Sequence, residues 1–254
     1  MELNLSEQGE NTPWNWGELV ENGRGRCRLK SDLTGIIQRC SKFARPDLPW
    51  HLCGSRGLWR FCVSPVARHL SNGCPTGGPW DVLLFSGGGN DIVDNPMALW
   101  IKDWNPAMPP AKHIHQPRFD TALALVRAGY EDLIELRDKL SPSTQLVFQG
   151  YDFAIPDGRG VCHLGPWLKP TFDLRNFPTR AAAQEVVKAM LQQFASMLTS
   201  LATQPKVTFI NGQGTLPPQT SSWHNELHPT RDGFKKFADI FYQKLKNLYP
   251  DRVA

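Results

Sequence analysis

The sequence predicts an α/β fold with a mostly parallel sheet that helices cover on both faces. Three short apolar runs, residues 81–85, 145–148 and 207–210, have the length and composition of buried strands. Segments with apolar residues at helical spacing lie between these runs and after the last one. Strands that alternate with helices at such lengths are typical of parallel sheets.

Three amphipathic helices are predicted from apolar residues that recur every three or four positions. Their apolar residues are Phe119, Leu123, Val126, Tyr130 and Leu133 in the first helix, Val187, Met190, Leu191, Phe194, Met197 and Leu201 in the second, and Phe234, Phe237, Phe241, Leu245 and Leu248 in the third. Two connections are predicted to be irregular. Residues 97–117 are rich in Pro and Trp, and residues 155–178 form a long loop with Gly and Pro.

The chain divides near Pro79 into two regions of different character. Residues 79–254 have the strand and helix pattern of an α/β domain. In residues 1–78, Trp, Cys, Arg, Gly and Ser are scattered with a period of neither two nor 3.6. We interpret this part either as an irregular, divergent N-terminal region or as an encoded N-terminus altered by a frame or start error.

Charge and hydropathy argue against two classes of partner. The net charge is +4, and residues 22–78 hold ten Lys or Arg against only Asp32 and Asp47. Such a segment can attract nucleic acid, but its basic residues form no helical stripe and no nucleic-acid-binding motif. No window approaches the roughly 18 to 20 apolar residues of a membrane span. We therefore expect neither a nucleic-acid nor a membrane partner.

The cysteines and the N-terminal residues bear on the compartment. Five of the six cysteines fall in the first 74 residues, and none forms a CxxC pair. The first residues are acidic and lack the apolar segment of a secretory signal. We therefore expect a cytoplasmic protein with reduced thiols and without a cysteine-based zinc site.

The first candidate motif is Gly88-Gly-Asn-Asp91, which follows the first predicted strand. Gly88 and Gly89 would let the backbone approach a substrate closely. Asn90 would offer a side-chain N–H donor at the carboxyl end of the sheet, where it could stabilise an oxyanion. The alternative is a glycine-rich turn whose Asn90 and Asp91 cap the next helix.

The second candidate motif runs from Asn225 to Pro229. His228, on a loop before the last helix, could act as a general base. Asn225, three residues earlier, could support its imidazole. The alternative is a surface histidine in a turn, with Thr230 or Asp232 as the helix cap.

A metal site at the same motif is disfavoured. His224, Glu226 and His228 do not form the HExxH pattern of zinc hydrolases, and Pro229 prevents a helix across them. We expect no metal ligands here.

Together the two motifs resemble blocks III (GxND) and V (DxxHP) of the SGNH/GDSL hydrolase family. Asn225 stands where that family usually has Asp. The intervening segments 150–160 and 165–170 resemble a bacterial subgroup of the family. The resemblance covers about residues 79–254.

The resemblance implies a flavodoxin-like, three-layer α/β/α sandwich that hydrolyses small-molecule carboxylic esters without a cofactor. It gives His228 the role of base, Asn90 that of oxyanion donor and Asn225 that of the residue that orients the imidazole. Gly88, Gly89 and Asp91 would shape the oxyanion loop. Glu226 is a weaker candidate for the missing carboxylate.

The family's nucleophile lies in a Gly-Asp-Ser motif, and this sequence contains no Gly-Asp-Ser. Ser86 falls within the first motif and is better interpreted as structural. The nucleophile therefore stays unassigned.

Two hypotheses follow: an active ester hydrolase, or an inactive relative that binds a ligand or is a damaged gene product. The sequence specifies neither the substrate nor the oligomeric state. The upstream serines that lack the expected context are Ser31, Ser41, Ser55, Ser64 and Ser71.

Overall fold

Three parallel strands form the sheet of the computed structural model, which describes residues 81–160, 165–251 and 253. They are β1 (Val82–Phe85), β2 (Gln145–Gln149) and β3 (Val207–Ile210), in the order β1-β2-β3. All three strands lie where the sequence predicts them. The predicted α/β fold with a mostly parallel sheet is confirmed.

Four α-helices accompany the sheet: α1 (Gln116–Leu140), α2 (Lys169–Leu174), α3 (Arg180–Leu201) and α4 (Arg231–Leu248). The three long helices correspond to the three predicted ones. Thr230 caps α4, since its side chain accepts a hydrogen bond from the Gly233 N–H at 3.2 Å. The predicted Thr230 cap is thereby confirmed.

The helices α1 and α3 connect successive parallel strands, and right-handed crossovers place both connections on one face of the sheet. Tyr130 of α1 packs edge-on against Phe85 of β1 and Phe148 of β2, with ring centroids 5.3 and 4.7 Å apart. The last helix contacts β3, and its Phe237 packs against Gly212 just beyond that strand. This arrangement is compatible with a three-layer α/β/α sandwich.

Two irregular segments contain more regular structure than predicted. The segment 97–117 includes a 3-10 turn at Pro110–His113 and the first residues of α1. The loop 155–178 contains α2, a single short helix. The prediction missed α2 because its first peptide N–H groups are satisfied by Glu226, which is remote in sequence.

Several predictions concern residues that the structure does not describe. The irregular region 1–78, the division near Pro79 and all six cysteines lie outside the described residues. Within the described ranges, no helix is both long and apolar enough to cross a membrane. The same ranges contain no group of three or more His, Cys, Asp or Glu side chains that could hold a metal ion.

Candidate active site

The loops that follow β1, β2 and β3 meet at the carboxyl edge of the sheet, because parallel strands all end there. The Gly89 N–H donates to the Tyr151 hydroxyl at 3.1 Å, which joins the first loop to the second. Asp152 accepts hydrogen bonds from the peptide N–H groups of Gly214 at 2.6 Å and Leu216 at 2.8 Å, which joins the second loop to the third. Both sequence motifs are therefore carried on loops at one edge.

Asn225 contacts the imidazole of His228 directly. Asn225 is only 1% exposed. Its Oδ1 accepts hydrogen bonds from the peptide N–H groups of Leu227 and His228, each at 2.9 Å. The same Oδ1 lies 3.0 Å from Nδ1 of His228. Two peptide donors require an oxygen at this position, so the amide orientation is fixed. Nδ1 must then carry the proton, and Nε2 of the neutral ring holds a free lone pair.

The environment favours the neutral form of His228. Desolvation by the surrounding protein, and then the charge of nearby His224, lower the pKa of His228 although part of the residue is exposed. Asn225 is neutral and offers no charge to counter this shift. A neutral imidazole with a free Nε2 can accept a proton near neutral pH.

Trp167 links the two motif-bearing loops. Its indole packs edge-on against His228, with ring centroids 6.0 Å apart at an interplanar angle of 78°. Its carbonyl oxygen accepts the Asp94 N–H at 3.0 Å, and its own N–H donates to Oε2 of Glu226 at 2.6 Å. The sequence pointed to Trp167 only as part of the segment 165–170 and indicated no role for it.

Glu226 does not contact the imidazole through its carboxylate. The residue is fully buried, and its two carboxylate oxygens accept four peptide N–H groups. These donors belong to Gly158, Trp167, Leu168 and Lys169, at 2.6 to 2.9 Å. The hypothesis that Glu226 supplies the carboxylate to His228 is therefore wrong, and Asn225 occupies that position.

The first motif forms a tight turn after β1. Gly88 has φ +82°, and a Cβ there would lie 2.5 Å from the Val126 side chain, so only glycine fits. At Gly89, a Cβ would lie 2.5 to 2.9 Å from the Tyr151 side chain. The side chain of Asn90, which follows these glycines, is exposed at the edge of the sheet.

The turn does not serve as a helix cap. Asp91 N–H bonds to the Gly88 carbonyl at 3.3 Å, and the following 3-10 turn at Asn95–Leu99 starts only after Asp94. The alternative in which Asn90 and Asp91 cap the next helix is therefore wrong.

Asp94 has a strained backbone, with φ 66° and ψ −156°. This conformation is almost restricted to glycine and costs about 1–3 kcal/mol in other residues. The hydrogen bonds from Asp94 N–H to Trp167 and from Met97 N–H to the Asp94 carbonyl, 3.0 and 2.9 Å, hold it in place. Strain of this kind concentrates at active sites and ligand clamps.

The candidate serines of residues 1–78 lie outside the described residues, so none of them can be placed relative to His228. Ser86 is half-buried at the end of β1 and makes an interaction of its own.

Comparison with protein-family models and with curated proteins finds no match. Among solved structures, the chain is similar to an extracellular lipase from Streptomyces rimosus, at 18% identity and a TM-score of 0.42, over 71% of this chain and 72% of that one. It is also similar to a salicylyl-acyltransferase from a tetracycline biosynthetic pathway, at 15% identity and a TM-score of 0.37, over 75% of this chain. The match spans 42% of the acyltransferase.

Proposed function

We propose that the protein is an SGNH-type acyl hydrolase that cleaves carboxylic esters, with His228 as general base. The proposal rests on one observation above all: the contact of 3.0 Å between Oδ1 of Asn225 and Nδ1 of His228. Because two peptide N–H groups fix that oxygen, the imidazole has its free lone pair at Nε2. A hydrolase of this type requires such a ring to accept a hydroxyl proton.

In the proposed reaction, Nε2 of His228 removes the proton of a serine hydroxyl while its oxygen attacks the ester carbonyl carbon. The carbonyl oxygen becomes an oxyanion, to which the Asn90 side chain donates a hydrogen bond. The C–O bond to the alcohol then breaks, and the alcohol leaves with the proton from His228. Water, activated by the same base, releases the acid from the acyl-enzyme. Each step uses only side chains and water.

Asn225 would orient the imidazole without stabilising its charge. In a well-studied protease triad, replacement of Asp by Asn lowers kcat about 10⁴-fold because the wrong tautomer forms. Here the Leu227 and His228 peptide N–H groups turn the amide oxygen toward Nδ1. The useful tautomer is therefore kept, and the remaining cost of Asn225 is electrostatic.

Hydrolysis of short-chain p-nitrophenyl esters tests the proposal. The wild type should hydrolyse them, and His228→Ala should lower kcat by about 10²–10⁴-fold, the usual contribution of a general base. His224→Ala is the matched control, because His224 is an exposed histidine on the same loop. Its kcat should stay within a few fold of wild type. Equal rates for the wild type and His228→Ala would exclude His228 as the base.

A second candidate function is favoured by the absence of Gly-Asp-Ser from the whole sequence. In this case the protein would be an inactive relative that binds an acyl or sugar ligand. A fluorophosphonate probe separates the two candidates, because it reacts covalently with activated serines. Labelling of a single serine would support the hydrolase and identify the nucleophile. A folded protein that stays unlabelled would support ligand binding.

A further inference from the structure

We propose that Glu226 is a positioning residue that sets the separation between His228 and Asn90 by fixing Trp167, which contacts His228 and the loop that carries Asn90. The inference rests on the proposed function of His228 as base and Asn90 as oxyanion donor. In this role Glu226 touches neither the substrate nor the reacting atoms. It acts through the peptide of Trp167.

Glu226 joins the histidine loop to the segment that precedes α2 at six points. Four are hydrogen bonds from peptide N–H groups to its buried carboxylate. The other two use its own peptide groups, with Glu226 N–H donating to the Arg159 carbonyl and Ile155 N–H donating to the Glu226 carbonyl, both at 3.2 Å. Since Glu226 directly follows Asn225, this anchorage also fixes the residue that orients the imidazole.

Trp167 connects Glu226 to both motif-bearing loops of the site. Its N–H is held by Glu226 at 2.6 Å, and its ring packs against His228. Its carbonyl accepts the Asp94 N–H, and Asp94 lies four residues after Asn90. A shift of the Trp167 peptide would therefore move the imidazole and the oxyanion loop relative to each other.

The path from Asp94 to Asn90 is stiff. Ile92 is 0% exposed and Val93 is 6% exposed, so packing fixes the intervening residues. Asp94 also has a strained backbone conformation that two hydrogen bonds hold in place, and one of them is to the Trp167 carbonyl. Loss of the Trp167 contact would release Asp94 and alter the turn that carries Asn90.

The four peptide N–H hydrogen bonds at Glu226, which we call the clamp, require a carboxylate. Four N–H donors converge on the two oxygens of Glu226, two on each. In Glu226→Gln, the amide NH₂ would replace one oxygen and face two donors with no acceptor. The variant keeps the side-chain shape but loses half of the clamp.

The experiment compares Glu226→Gln, Trp167→Phe and the double variant by two readouts. The first is kcat and KM for a p-nitrophenyl ester. The second is independent of activity: the NMR signals of the His228 ring during a pH titration and of the Asn90 side-chain amide. Asp152→Asn is the matched control, because Asp152 is also a buried carboxylate but accepts the peptide N–H groups of Phe153, Gly214 and Leu216.

We expect Glu226→Gln to lower kcat about 10²-fold, the effect of misplacing a reacting group by about 1 Å. Trp167→Phe should lower kcat about 10-fold, and the double variant should be no slower than Glu226→Gln because both changes act on one path. The His228 and Asn90 signals should both move in Glu226→Gln. In Trp167→Phe the His228 signals should move and the Asn90 signal should stay, because the backbone contacts of residue 167 to Glu226 and Asp94 remain. In Asp152→Asn the stability should fall, and those signals should move less than in Glu226→Gln.

The proposal is overturned if folded Glu226→Gln leaves the His228 and Asn90 signals unchanged. If Glu226→Gln does not fold, Glu226→Asp decides instead, because it keeps the charge and draws the carboxylate back by one methylene from the peptide N–H groups. Unchanged His228 and Asn90 signals in that variant would also overturn the proposal. The proposed hydrolase function fails on a different result, namely equal hydrolysis by the wild type and His228→Ala. The NMR signals then still decide whether Glu226 positions the two side chains.

Discussion

Oδ1 of Asn225 lies 3.0 Å from Nδ1 of His228 and 2.9 Å from the peptide nitrogens of Leu227 and His228. One buried oxygen thus closes the local turn and faces the imidazole. The two peptide donors fix the amide orientation, which an isolated Asn–His pair would leave free. An Asn at this position can therefore do the orienting work of an Asp but not its electrostatic work.

Asn225→Asp should restore the missing charge. The carboxylate can accept the same three hydrogen bonds, and its charge should raise the pKa of His228. Since the base must be neutral, the acidic limb of the kcat/KM profile should move to higher pH. A pH–rate profile for both proteins measures this shift. An acidic limb at the same pH in both would contradict the contact between residue 225 and the imidazole.

The lowered pKa of His228 should also appear in the stability of the wild type. Folding lowers this pKa, so the folded state binds fewer protons than the unfolded state. The contribution is therefore fully present above the unfolded pKa of about 6.5 and is lost as pH falls through the folded value. Urea unfolding across this range should show the loss in the wild type and a smaller one in His228→Gln. Identical pH dependence in both proteins would count against the shift.

Asn90→Ala should impair catalysis without affecting the fold. Removal of one oxyanion donor lowers kcat by about 10²–10³-fold. The free energy of unfolding should change little, because the side chain is exposed. Asn95→Ala is the matched control, since Asn95 is exposed on the same stretch after β1. If both variants hydrolyse p-nitrophenyl esters at the wild-type rate, Asn90 is not the donor.

Asp94→Gly should stabilise the protein. Glycine adopts φ near 66° without strain. The relief of about 1–3 kcal/mol exceeds the extra entropy that glycine loses on folding, about 0.5–1 kcal/mol. The free energy of unfolding in urea should therefore rise, whereas Asp94→Ala should give no gain. A glycine variant no more stable than the alanine variant would show that Asp94 is unstrained.

The fold could largely be predicted from local patterns. The strands β1, β2 and β3 are short apolar runs that end in loop residues, and the long helices repeat their apolar residues at helical spacing. The helix α2 could not be predicted in this way. It has six residues, and the acceptor for its first N–H groups is the Glu226 carboxylate, 57 residues away at Lys169.

In the candidate site, too, local contacts could be predicted from the sequence and contacts between distant segments could not. Asn225 and His228 are three residues apart, so their contact is a local turn that the spacing itself suggests. The contact between Trp167 and His228 joins distant parts of the chain, and no pattern in either segment indicates it. For Glu226 the only signal was its place inside the motif, from which its four peptide partners could not be inferred.

The tautomer of His228 in solution decides whether Asn225 leaves Nε2 free to act as a base. Long-range ¹H–¹⁵N NMR of the wild type, above the pKa of His228, distinguishes the protonated ring nitrogen from the free one. We predict a protonated Nδ1 and an unprotonated Nε2, with Asn225→Asp giving the same pattern. A neutral ring that carries its proton on Nε2 would show that Asn225 does not orient the imidazole for catalysis.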